Sequence, residues 1–135
     1  TLGRSSAASD VYKDSSSANG IRADLINKNI ASLINFYVGR AIGLTGQDAY
    51  IIQAKKLQLN ESNAPDLDLG HVGVISSIDK KFLSAIIDND IISVITPIGV
   101  DQQGEALNIN ADTVVSELAL ALTANVCYFF AIFLE

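Results

Sequence analysis

The sequence contains no methionine or tryptophan, one cysteine, one histidine and two prolines in 135 residues. A single cysteine, Cys127, excludes an internal disulfide, and with only His71 beside it there is no thiolate or imidazole cluster for zinc. Cys127 falls in an apolar run, where a free thiol serves as a small core hydrophobe. Basic charge is scarce in the second half. Residues 1–67 hold seven Lys and Arg against six Asp and Glu, and residues 68–135 hold two against nine. A formal net charge of −6 distributed this way repels phosphate backbones and argues against a nucleic-acid partner. No basic-then-apolar leader opens the chain, so no secretory signal is expected. Methionine is missing even at position 1, which fits an internal piece of a longer protein or a processed product.

What is present is an alternation of apolar strands and one-sided helices. Hydrophobic residues make up 49% and charged residues 18%, a globular balance, and the length suits one ordinary domain. Residues 1–19 are rich in Ser and Ala without an apolar period, which predicts a loose N-terminal arm before a domain over 20–135. Asp24 is a candidate N-cap for a helix with Ile26, Ile30, Leu33, Ile34 and Tyr37 inward and Gly39 as its stop. "RAIGLTG" (40–46), "AYIIQAKKL" (49–57) and "LGHVGVISS" (69–77) read as strands, the last two joined by a polar excursion around Pro65. Asp79 can cap a second helix with Phe82, Leu83, Ile86 and Ile87 on one face. "IISVITPI" (91–98) reads as one fully covered parallel strand. A third helix is expected from Ala111 to Thr123, closed by Asn125 and followed by "VCYFFAIF" as a further buried strand. Strand and helix in this order predict an α/β fold: a three-layer α/β/α sandwich around a mostly parallel sheet. Leu118 to Leu134 is nearly all apolar, but Thr123 and Asn125 interrupt it and no Lys or Arg anchors its ends, so no membrane span is expected.

Chemistry concentrates in "NINAD" (108–112), which follows a polar turn and enters the third helix. In open α/β sheets ligands gather at the carboxyl ends of strands beside helix N-termini. Along an extended chain Asn108 and Asn110 project to one side, and each amide offers donor and acceptor for a carboxylate or acyl group. Asp112 in the first helical turn is favoured as an anion by the macrodipole and can anchor ammonium groups. On spacing alone, helix capping is the favoured account of Asn110 and Asp112 over a ligand role. His71 reads as a solvent-facing strand residue or a core partner, Lys55-Lys56 and Lys80-Lys81 as solvated edges, and the glycines form no phosphate loop of G-x-G-x-x-G or Walker type.

The strings "INKNIASLIN", "RAIGLTGQDAYIIQAKKL", "DLGHVGVISSID" and "DNDIISVITPIGVDQQGEALNINADTVVSELALAL" closely resemble, in order and spacing, the central part of the N-acetylglutamate kinases of the amino acid kinase family. The resemblance runs from about Asn19 to about Phe130. It implies a three-layer sandwich, incomplete here at both ends, and ATP-dependent phosphorylation of the side-chain carboxylate of N-acetyl-L-glutamate, a step toward arginine. It further implies MgATP as co-substrate, a cytoplasmic or plastid-stromal setting and a homodimer. Carried over by position, Asn108 and Asn110 lie near the acyl amino acid, and Asp112 is the catalytic aspartate that orients two lysines. Arg22 in "NGIRAD" matches an arginine that binds the substrate's α-carboxylate.

Departures accompany the match. Gln47 stands where the family has Lys, Val74 where it has Glu, and "NGIRAD" lacks the family's Thr-Asp continuation. The lysine-bearing Gly-Gly strand and the nucleotide half have no counterpart, so this chain alone is expected to lack kinase activity. The alternative is a non-catalytic ligand-binding or assembly module built on the same fold.

Overall fold

The computed structural model describes residues 15–37, 39–58 and 70–123. Its elements are α1 (Ser15–Tyr37), β1 (Ala41–Thr45), a 3-10 turn (Asp48–Tyr50), β2 (Ile52–Lys56), β3 (Gly73–Ile78), α2 (Lys80–Asp88), β4 (Ile92–Thr96), β5 (Ile98–Val100), β6 (Ala106–Asn108) and α3 (Ala111–Leu122). β1 and β4 pair in parallel from Ala41↔Ile92 to Thr45↔Thr96. The remaining strands pair in the order β3-β2-β5-β6, with β2–β5 parallel and β2–β3 and β5–β6 antiparallel. The sheet structure is therefore mixed within the expected α/β fold.

Adjacent residues of a strand point to opposite faces, and β1 uses both. Gly43 faces α1, since a Cβ there would lie 1.9 Å from Asn27 Oδ1. Leu44 faces the other way, into a core of Ile51, Ile52, Ala54, Leu83, Leu107, Ile109, Val114 and Leu118. Helices α2 and α3 supply Leu83, Val114 and Leu118 to that core, so helices cover both faces of β1 and β4. Asp79 caps α2 as its sequence suggests, its side chain accepting from the Phe82 N–H at 3.0 Å. Helix α3 ends at Thr123, whose φ of 47° turns the chain out of the helix, and "VCYFFAIF" lies outside the described residues.

Three local expectations change. Helix α1 begins at Ser15 and not at Asp24, so residues 15–19 of the expected arm are helical. The Ser/Ala run carries no strong breaker except Gly20, which costs only about 1 kcal/mol inside a helix. The buried face of α1 is Asn27 and Ala31, while Leu33 and Tyr37 are exposed. At about 100° per residue, this is roughly a quarter turn from the face that apolar spacing predicts. The run 91–98 is split at Pro97, which has no N–H to give a ladder and passes the chain from β4 into β5.

Candidate functional site

Helix α1 runs antiparallel to β1. Near its end, Asn35 exchanges two hydrogen bonds with the Ala41 backbone, Nδ2 donating to the carbonyl at 3.0 Å and Oδ1 accepting from the N–H at 2.5 Å. Earlier in the helix, Asn27 Nδ2 donates to Leu44 O (3.2 Å), Val94 O (2.8 Å) and Thr96 Oγ1 (2.8 Å). One buried amide thus ties the helix to two strands near their carboxyl ends. Its Oδ1 has no partner among the described residues. The apolar reading of α1 missed Asn27 because a polar side chain scores as surface. The missing Cβ of Gly43 opposite it was the available signal.

At the carboxyl end of β1 the chain turns sharply. The Asp48 carboxylate accepts from the Thr45 N–H at 2.7 Å, and the Gly46 N–H donates to Ile98 O at 2.8 Å. A Cβ on Gly46 would stand 2.1 Å from that same carbonyl, so only glycine fits. Ala49 and Tyr50 follow with φ of 49° and 53°, a left-handed pair without glycine.

The "NINAD" segment arrives at the same rim from β6. The Ile109 N–H donates to Pro97 O at 3.0 Å, immediately beyond β4, and the Asn108 N–H donates to His71 O at 2.6 Å. Ile109 is buried in the core, fitted against Gly99, where a Cβ would lie 2.6 Å from Ile109 Cδ1. With Ile109 inward, its neighbours Asn108 and Asn110 leave on the opposite side. Asn108 is half-buried and its side chain has no protein hydrogen bond among the described residues. Asn110 is exposed and caps α3, its Oδ1 accepting from the Thr113 N–H at 3.1 Å, which leaves its amide N–H groups outward. Asp112 is exposed in the first turn of α3. The polar turn before β6 is held by Asp101, whose carboxylate accepts from the Gln103 and Glu105 N–H groups, each at 2.9 Å.

Arg22 sits on the turns of α1 beyond Asn27, about 7 Å further along the axis at 1.5 Å per residue, and so overhangs the carboxyl ends of β1 and β4. It stands nine positions from buried Ala31, which puts its stem on the side of the helix away from the sheet. Among the described residues no hydrogen bond joins it to the 108–112 segment. The structure thus gathers Asn108, Asn110 and Asp112 at one rim and leaves Arg22 on the outer side of the same end.

This placement of a strand rim and a capped helix over one continuous stretch accords with a family model, the amino acid kinase family, that matches residues 15–131. The chain belongs to the amino acid kinase family. Among curated relatives, the acetylglutamate kinase of Hydrogenovibrio crunogenus is 50% identical over 105 residues, covering 74% of this chain and 35% of its own length. The acetylglutamate kinase of Chromobacterium violaceum is 49% identical over 100 residues, with coverages of 74% and 35%. That of Neisseria gonorrhoeae is 43% identical over 99 residues, with coverages of 73% and 33%. The chain therefore spans about a third of the length of the curated relatives it matches. A solved structure from Streptococcus mutans UA159 superposes with a TM-score of 0.62 at 25% identity, over 76% of this chain and 39% of the other. Within the family this chain is similar to kinases, enzymes of the transferase class, and its matched part is a central segment.

Proposed function

We propose that the chain carries the acyl-amino-acid side of an ATP-dependent kinase that phosphorylates the side-chain carboxylate of N-acetyl-L-glutamate. The observation carrying this reading is Asn108: a half-buried amide at the rim, free of protein hydrogen bonds among the described residues, beside the N-terminus of α3. In the reaction the carboxylate oxygen attacks the γ-phosphorus of ATP, forming an acyl phosphate and releasing ADP. Asn108 and the outward amide of Asn110 hold the acyl and α-carboxylate groups, and the positive end of α3 favours the anion. Asp112 orients cationic groups that approach the transferring phosphoryl. Phosphoryl transfer depends on such positioning and charge more than on covalent help. Magnesium enters with the nucleotide as part of that substrate.

The test is a titration of the chain with N-acetyl-L-glutamate, followed by calorimetry and amide chemical shifts. Saturable shifts at Asn108, Asn110 and Ala111 are expected, with affinity about 10- to 100-fold lower in Asn108→Ala, the value of a hydrogen bond to a charged group. A flat titration, or shifts elsewhere only, sinks the assignment. Parallel titration with glutamate lacking the acetyl group separates an acyl-specific site from a general carboxylate site.

A further inference from the structure

The four-stranded sheet curls back on itself. Its order is β3-β2-β5-β6, and Val72, just before β3, bridges Asn108 of β6 in parallel. Register then decides which side chains share the face of Asn108. Val72 stands beside Asn108, and Val74 lies two residues further along the same strand on the same side. Lys55 of β2 is the residue opposite Val74, and Leu57 meets Val72, its N–H donating to Val72 O at 2.8 Å. Lys55, Leu57, Val72, Val74 and Asn108 therefore lie on one face. The opposite face carries Ala54, Leu107 and Ile109 into the core, and a Cβ on Gly73 there would meet Leu107 Cβ at 2.8 Å.

We propose that Lys55 is a further substrate-binding residue, its ammonium pairing with the α-carboxylate of the acyl amino acid that Asn108 holds. The assignment rests on the reading of residues 108–112 given above. Charge creates the need. N-acetyl-L-glutamate is a dicarboxylate, whereas Asn108 and Asn110 offer only neutral amides in a chain of net charge −6. An anion that leaves water for such a rim requires a cation beside it. Arg22 has its stem on the side of α1 away from the sheet. Lys28 donates to Gly43 O under that helix, and Lys80 and Lys81 open α2, beyond the far end of β3 from the Val72 bridge. Lys56 and His71 alternate onto the face opposite Asn108.

Lys55 is exposed and makes no ion pair among the described residues. The position directly across from it, where an acidic side chain would hold the ammonium, is Val74, which is 46% exposed. From Asn108, Lys55 is two strands across and two residues along, about 12 Å between Cα atoms. The flexible stem of the lysine crosses part of that span and a bound acyl amino acid the rest. Leu57 and Val72, both half-buried, lie between as an apolar floor for the methylenes and the acetyl methyl group. A carboxylate neutralised by an ammonium is a poorer nucleophile. The cation therefore belongs on the α-carboxylate and leaves the side-chain carboxylate to react.

Calorimetric titration of the full chain with N-acetyl-L-glutamate, its α-carboxamide and its side-chain carboxamide tests this. Lys55→Gln should weaken N-acetyl-L-glutamate about five- to ten-fold, as for an ion pair at a partly exposed site, and Lys55→Arg should restore most of the loss. The α-carboxamide should bind the unaltered chain more weakly by the same factor and be indifferent to Lys55→Gln, while the side-chain carboxamide stays sensitive to it. Added salt should narrow the gap between Lys55→Gln and the unaltered chain. Val74→Glu gives the ammonium a cross-strand partner, so it should weaken binding with the far-UV circular dichroism spectrum unchanged. Equal affinity in Lys55→Gln, with Asn108→Ala still weak, overturns the Lys55 assignment and leaves the amide reading standing. Equal binding of N-acetyl-L-glutamate and its α-carboxamide by the unaltered chain overturns it without any variant. A flat titration of the unaltered chain sinks both.

Discussion

The most consequential side chain outside the rim is Asn27, a buried amide whose Nδ2 serves two carbonyls and one hydroxyl across β1 and β4. Asn27→Ala removes the buried donor that ties α1 to Leu44 O, Val94 O and Thr96 Oγ1, so a loss of about 2–4 kcal/mol is expected in denaturant unfolding. Asn27→Asp should be worse than Asn27→Ala, because it aims a carboxylate at carbonyl oxygens. The reverse order would show that the amide is not the donor. Asn110 has a smaller structural role: its cap on the Thr113 N–H is worth about 1 kcal/mol, so Asn110→Ala should cost that much stability in thermal unfolding. Asn110→Asp keeps the cap acceptor but removes the outward N–H groups. It should therefore preserve stability while weakening N-acetyl-L-glutamate binding, a separation that a purely structural asparagine would not give.

Among the elements, the β5–β6 hairpin decides where the amides sit. Its turn is closed by Asp101 and by Gly104 at a φ of 87°. An L side chain at that φ is strained, so Gly104→Val should destabilise by about 1–3 kcal/mol and move the Asn108 amide resonance even where the fold survives. An unmoved Asn108 resonance would show the turn to be uncoupled from the rim. The β1–β2 turn is packed more tightly. Gly46→Ala places a methyl group on the Ile98 carbonyl, and because that obstacle is backbone, loss of the folded state on expression is the expected outcome. Helix α2 shows how legible a cap is: Asp79 with Phe82 three residues on marks the start of the helix, and Leu83 follows into the core. Helix α1 shows the opposite case, since its Ser/Ala opening has no cap signature and its inward face is one asparagine and one alanine.

At the scale of the whole molecule, the family match covers a central stretch, and the part matched is about a third of the length of the curated relatives. Catalysis by the chain alone would need preorganised positive charge at the phosphoryl group, and each such group is worth about 10²- to 10³-fold in rate. The expectation is therefore binding without turnover: no ADP release above background in a coupled assay with MgATP and N-acetyl-L-glutamate. Turnover above background would mean that the acceptor side carries its own phosphate machinery. Among the described residues no helix is long and apolar enough to cross a membrane.

What the residues decided unaided were features confined to one turn of chain. The caps of α2 and α3, the strand runs of β1 to β3 and the polar-to-apolar entry at 108–112 each depend on neighbours within four positions, so their signal is local. What needed the tertiary structure was every feature set by an opposing surface. Which side of α1 faces inward depends on the missing Cβ of Gly43, far along the chain, and not on where the leucines fall. The break at Pro97 was visible as a residue, but its effect required β5 to find β2 as a partner. The rim itself is of this second kind: Asn108 is a polar residue in any sequence window, and becomes a candidate ligand only because Ile109 is drawn into the core against Gly99. Local chemistry selects elements, and packing, which compares surfaces remote in sequence, selects the faces they show.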